Sequence, residues 1–154
     1  MLWPALIIVV MDQITKWAIV RNLRVFESVP VVTGFFNLVQ VRNRGMAFGL
    51  MNRPDIGFAS YFLLTASLVA VVLILLWFFT LKGNDNRLTV GLSLILGGEL
   101  VNIIDRVRLG EVIDFLDFYL GSYHWPAFNL ADSAITVGTL FVTLNLIFQR
   151  KAHP

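Results

Sequence analysis

From Ile56 to Leu81 the chain carries no charged residue. At about 1.5 Å per residue, a helix over this run covers the roughly 30 Å hydrocarbon core of a bilayer with some to spare. Trp77, Phe78 and Phe79 near its end fit an aromatic belt at a membrane surface. Three more apolar stretches accompany it: Leu2 to Val20, Leu88 to Ile104 and Phe128 to Phe148. Of the 154 residues, 57% are hydrophobic and 14% charged, whereas a soluble domain is about 45–50% apolar and about 25% charged. The excess gathers in runs, which predicts an all-α integral membrane protein with spans over about 2–20, 56–81, 88–104 and 128–148, forming one unit over 1–154. Four spans put both termini on one side and both long connections on the other.

The first span reads as retained. Leu2 to Val10 is apolar like the core of a signal peptide, but no basic residue precedes it and no small-residue cleavage site follows. Asp12 and Lys16 come instead, four apart with the acid first, the favourable order for a pair on one helix face. Such a pair is either a brace against other helices or the border of a site.

The first connection, Asn22 to Asp55, is long. Val29 to Gly34 and Phe35 to Val41 are rich in β-branched and aromatic residues and broken by Gly and Pro, a strand-turn-strand signal. This predicts a small β-rich cradle between the first two helices. Asn43-Arg44-Gly45-Met46-Ala47-Phe48-Gly49 follows, with small residues that permit close backbone approach. A connection of this length in a small protein is more often a lid or binding surface than a bare link.

Chemistry concentrates between Asn102 and Asp132. Six of the ten acidic residues (Glu99, Asp105, Glu111, Asp114, Asp117 and Asp132) lie in or beside this stretch, between two spans. Carboxylates at a membrane edge are costly, so a site is the first hypothesis for them. Two neighbouring carboxyls cannot both ionise cheaply. One then takes a proton from water while the other donates to a carbonyl, which needs neither metal nor thiol. Asp114 and Asp132 suit such a pair, with Asn129 one turn before Asp132 to orient a carboxylate. Asp105 with Asp132 is the competing pair, although Arg106 beside Asp105 and Asn102 one turn back suit a structural brace better. Asp117 reads as a solvated loop acid. Glu99, Asn102 and Arg106 share one helical face, which should point inward. On these residues alone, a proton or ion pathway through Asp12, Glu99 and Asp132 and a purely structural polar cluster stay open beside the catalytic pair. Acids spread through the membrane depth would mark a pathway, and most of these cluster at one face.

Composition removes other chemistries. The chain has no cysteine, so disulfides, thiol nucleophiles and cysteine-bound metal are excluded. His124 and His153 are the only histidines, one in a predicted loop and one in the tail, which supports neither a triad nor a zinc site. A net charge of +2 without a basic patch interleaved with aromatics gives no sign of a nucleic-acid partner. Arg21, Arg24, Arg42, Arg44 and Arg53 border or lie in the first connection, against Lys82, Arg87, Arg150 and Lys151 on the opposite side. The count alone would put the connections in the cytoplasm. An arginine held by a folded site or by headgroups does not steer topology, so charge bias does not supply the orientation.

Five blocks together resemble the lipoprotein signal peptidase (type II signal peptidase) family of bacteria. They are Asp12-Gln13-Ile-Thr15-Lys16, Asn43-Arg-Gly45-Met-Ala47-Phe48-Gly49, Gly97-Gly98 running to Asn102-Ile-Ile-Asp105-Arg106, Gly110-Glu-Val-Ile-Asp114-Phe115, and Phe128-Asn129-Leu-Ala131-Asp132-Ser133. Glu99 and Val101 stand where the family has small residues, and Met46 where it usually has Ala. The resemblance implies a four-span aspartic endopeptidase of the bacterial cytoplasmic (inner) membrane, with cytoplasmic termini and an active site near the outer face. It implies prolipoprotein substrates cut just before a diacylglyceryl-modified cysteine, membrane lipid as surroundings, no cofactor or metal, and a monomer. The dyad corresponds to Asp114 and Asp132, with Asn43 contacting substrate backbone in an extracytoplasmic cradle. Asp12, Lys16, Gly45, Asn102, Asp105, Arg106, Asn129 and Ala131 correspond to supporting or substrate-binding positions.

Overall fold

A computed structural model describes residues 2–45, 56–81 and 86–150. Four helices dominate: α1 (Trp3–Asn22), α2 (Ile56–Thr80), α3 (Asn86–Leu109) and α4 (Leu130–Arg150). All four are long and apolar enough to cross a membrane. Pro4 opens α1, where its missing N–H costs nothing. The helix α3 runs five residues past the expected Ile104, because Asp105 finds protein partners in Lys16 and Gln13 and need not leave for water. It stops at Gly110, whose φ of +73° is the left-handed conformation that closes helices, with its N–H on Arg106 O at 3.0 Å.

The all-α expectation does not hold. A four-stranded antiparallel sheet, in the order β1-β2-β3-β4, caps the helices. Strands β1 (Ser28–Val32) and β2 (Phe36–Asn43) form the expected hairpin, turning at Gly34 with φ +84°. The cradle is not confined to the connection between the first two helices, however. The second connection adds β3 (Val112–Leu120) and β4 (Tyr123–His124). Strand β3 lies beside β2, with Val41 opposite Asp114 and Asn43 opposite Val112. It is buried on both faces over Val112–Phe115, so it lacks the alternation of polar and apolar residues that announces a half-exposed strand.

At the centre of the bundle α3 touches α1, α2 and α4. Lipid is as apolar as leucine, so such contacts depend on close backbone approach at small residues. A Cβ on Gly97 would sit 2.7 Å from Ala5 Cα in α1, and one on Gly98 would sit 2.5 Å from Ala131 O in α4. Val101 is fully buried without disrupting this contact. Gly98→Ala is expected to lower stability by about 1–3 kcal/mol, the usual range for overpacking, because the obstructing atom is backbone. A thermal midpoint equal to wild type would refute this. Helix α2, uncharged throughout, instead exposes large apolar side chains such as Phe62, Leu73 and Phe79, as a lipid-facing helix must.

Candidate active site

The site is assembled at the start of α4. Asn129 precedes the helix, and its Oδ1 accepts from Asp132 N at 2.9 Å. In return Asp132 Oδ2 accepts from Asn129 N at 3.3 Å. This reciprocal arrangement is a capping box, which satisfies two N–H groups that the first turn leaves unpaired. The negative charge of Asp132 also lies at the positive end of the helix. Phe128 is zipped onto β3, with Leu116 N donating to Phe128 O (2.9 Å) and Phe128 N to Leu116 O (3.1 Å). That zipper delivers Asn129 to Asp114.

Asn129 touches both acids. While its backbone N–H serves Asp132, its Nδ2 donates to Asp114 Oδ1 at 2.8 Å. A second asparagine holds each acid from another element. From the end of β2, Asn43 Nδ2 donates to Asp114 Oδ2 at 2.9 Å. From α3, Asn102 Nδ2 donates to Asp132 Oδ1 at 2.9 Å. The orientation of Asn43 is set by Gly45, whose N–H donates to Asn43 Oδ1 at 2.9 Å from a backbone at φ +93°. The Oδ1 of Asn102 is buried with no donor among the described residues. Asp114 is itself buried, whereas Asp132 is half-exposed and lines a cleft of about 550 Å³ with Trp125, Phe128, Ser133, Thr136 and Val137.

Burial pushes the Asp114 carboxyl up to about 6 from 3.8, and the nearby Asp132 charge adds to this, while the bonds from Asn43 and Asn129 and the Lys16 charge oppose it. Two signed consequences follow. Asp132→Asn lowers the Asp114 pKa, since the neighbouring charge is gone, and Asn43→Ala raises it, since a donor to the carboxylate is gone. Carboxyl titration of selectively ¹³C-labelled aspartate reads both shifts, and a shift of either sign opposite to this would refute the arrangement. Between about 4 and about 6 the folded chain holds more protons at this site than the unfolded one. The contribution to stability is therefore fully present below that window and is lost as pH rises through about 6.

Beneath the two acids lies a buried ion cluster. Lys16 Nζ lies 2.6 Å from Asp12 Oδ2 and 2.7 Å from Asp105 Oδ2, with all three side chains at most 3% exposed. The expected i,i+4 pair is thus present and reaches a third partner. Asp12 Oδ1 accepts from Ala131 N at 2.9 Å, so the cluster holds the first turn of α4. Gln13 Nε2 completes it on Asp105 Oδ1 at 2.9 Å.

Several expectations need correction. The cationic partner of Asp105 is Lys16, not the adjacent Arg106, and Asp105 makes no bond to Asp132. Among the described residues Arg106 donates a single long 3.4 Å bond, to Asn102 O. Asp117 is no solvated loop acid: it is buried, accepts from Asn37 Nδ2 at 2.8 Å and pairs with His124 at 2.9 Å. Glu99 is half-buried and joins no ion pair among the described residues. Met46, Ala47, Phe48, Gly49 and Arg53 lie outside the described residues, as does the 82–85 turn. Sequence reading missed Gln13 as a partner of Asp105. Its spacing, one residue past Asp12 and three before Lys16, was the available signal.

The comparisons with known proteins agree with one another. The family model for signal peptidase (SPase) II matches residues 4–148. A lipoprotein signal peptidase of Syntrophus aciditrophicus is 41% identical over 94% of this chain and 90% of its own length. One of Desulforapulum autotrophicum is 47% identical over 94% and 89%. A bacterial membrane enzyme solved by the in meso method at 2.3 Å resolution superposes with a TM-score of 0.85, 29% identity and coverage of 99% of this chain and 90% of that one. A second, at 1.9 Å, gives a TM-score of 0.82 at 30% identity, covering 94% and 90%. With a four-helix membrane fold, a family match over nearly its whole length and relatives this similar, the chain belongs to the signal peptidase II family.

Proposed function

We infer that this multi-pass membrane protein is an aspartic endopeptidase whose dyad is Asp114 and Asp132. As a member of its family it removes signal peptides from prolipoproteins. The observation that carries the catalytic assignment is Asn129, one residue bonded to both acids through separate atoms. Such a bridge holds two carboxyls in fixed relation, as a shared-proton pair requires.

The two environments assign the roles. Asp114, buried and raised to about 6, holds the proton and donates it to the scissile carbonyl oxygen. Asp132 opens onto the cleft, backed by the helix N-terminus, and takes a proton from the attacking water. The tetrahedral intermediate then collapses as Asp132 returns its proton to the leaving nitrogen and Asp114 is reprotonated by the product acid. The carboxyls and amides of the chain supply every step without a cofactor. Asp12, Lys16 and Asp105 position the first turn of α4 through Ala131, while Asn43, Gly45, Asn102 and Asn129 orient the dyad.

The substrate is cut just before a diacylglyceryl-modified cysteine. Each buried acyl methylene contributes about 0.8 kcal/mol, so that cysteine stays at the interface and the enzyme must meet it there. The cleft beside Asp132 meets this need, since its wall on α4 includes Thr136 and Val137 facing outward from the bundle. The site lies near the outer face of the bacterial cytoplasmic membrane, with cytoplasmic termini and a monomeric chain. The arginine count does not oppose this orientation, because Arg42 and Arg44 are paired with Glu111.

The test is cleavage of two otherwise identical precursor peptides, with and without diacylglycerol on the cysteine, by the purified protein. Cleavage of the lipidated peptide alone, unaffected by a metal chelator, is expected. Equal cleavage of both peptides would remove the lipid requirement, and loss of activity with chelator would remove the aspartic mechanism.

A further inference from the structure

A second cavity, of about 440 Å³, opens on the other side of the buried ion cluster. Its volume is that of a small-ligand pocket, about 300–1,000 Å³. Lys16 and Asp105 lie at its floor, already engaged with each other at 2.7 Å. Three arginines from three elements line it: Arg21 at the end of α1, Arg108 at the end of α3 and Arg42 on β2. Arg42 has Glu111 at 3.4 Å. Neither Arg21 nor Arg108 has a carboxylate among the described residues. Arg21 lies over Trp17, its Cζ 4.3 Å from the ring centroid, and Arg108 makes a long 3.4 Å bond to Gln13 Oε1.

A cation in the last turn of a helix is favourable against its carbonyl end, which accounts for Arg21 and Arg108 singly. It does not account for their convergence with Arg42 on one cavity, where like charges raise one another's energy. An anion among them removes that cost. The rest of the lining says which kind. Trp17, Val20 and Leu109 are apolar and substantially exposed, on the final turns of two membrane-spanning helices. A tryptophan with arginine at a span end belongs to the headgroup level of a bilayer.

We propose that this pocket binds the phosphodiester headgroup of an anionic phospholipid, with Arg21 and Arg108 as its principal contacts. A free phosphate ester offers the same charge but nothing for the apolar rim. The site is separate from the cleft at Asp132, and its occupancy does not depend on the peptidase mechanism.

Native mass spectrometry of the detergent-solubilised full chain, titrated with phosphatidylglycerol and then with phosphatidylcholine, tests this. Selectivity for phosphatidylglycerol of about 25-fold is expected, near fivefold per unpaired guanidinium. The R21Q/R108Q variant should bring the two lipids within about twofold of each other, with a thermal midpoint showing that it is folded. R21Q alone, at an exposed position, should lose about fivefold and serves if the double variant is unstable. Equal binding of the two lipids by the wild-type chain, or undiminished selectivity in a folded variant, would overturn the proposal. So would displacement of phosphatidylglycerol by millimolar glycerol 3-phosphate, which would identify a soluble ligand.

Discussion

Asp132→Asn protein is expected to insert and fold as wild type yet to cleave a lipidated prolipoprotein at least about 10³-fold more slowly, within the usual contribution of a positioned general base. The substitution is nearly isosteric. It keeps an acceptor for Asn102 Nδ2 and gives up only the longer 3.3 Å bond from Asn129 N, while Asp132 N still donates to Asn129 Oδ1, so the loss reports proton transfer rather than collapse. Asp114→Asn should be equally inactive, because an amide cannot deliver the proton that burial favours on this carboxyl. The measurement is single-turnover cleavage at matched amounts of folded protein. Full activity in either variant would end the dyad assignment, whatever the similarity to relatives.

Lys16→Met should be among the most destabilising single changes in the chain. It removes the cation between Asp12 and Asp105, which are 0% and 3% exposed. Leaving buried charge without its partner costs about 3–5 kcal/mol, a large share of the marginal stability of about 5–15 kcal/mol typical of a folded domain. The damage should spread, since Asp12 also holds Ala131 N and so the turn that carries Asp132. Asp105→Asn leaves the Lys16–Asp12 pair intact and should cost less, about 1–3 kcal/mol, lowering yield more than turnover per folded molecule. Thermal unfolding in detergent ranks the two variants. A Lys16→Met protein as stable as wild type would show the cluster to be incidental, and a well-folded but inactive Asp105→Asn protein would move the dyad to Asp105 and Asp132.

How much of this was legible depends on the distance over which each interaction acts. The hairpin was readable because β-branched residues and Gly34 state their conformation locally. The run Val112–Leu120 states it less clearly. Its acids suggest an exposed connection, in which Asp117 reads as solvated. In the folded chain β2 covers this run, and Asn37 supplies the bond to Asp117 that water would otherwise have made. The partner of Asp105 is hidden from the sequence for the same reason. Arg106 is adjacent in sequence, yet neighbouring residues on a helix point apart, and Lys16 arrives from another span.

By itself the sequence determined the four spans, since apolar runs of this length with so few charges have no soluble alternative, and it marked Asp114 and Asp132 as acids too costly to sit idly at a membrane edge. Tertiary structure decided how those acids are held. Asn129 reaches Asp114 across 15 positions of chain, Asn43 across 71, and Asp12 reaches Ala131 across 119. Hydropathy and periodicity record what a residue's near neighbours need. The choice of hydrogen-bond partner is made only when the helices pack and the second connection joins the sheet, because only then does burial leave each polar atom with so few groups to bond.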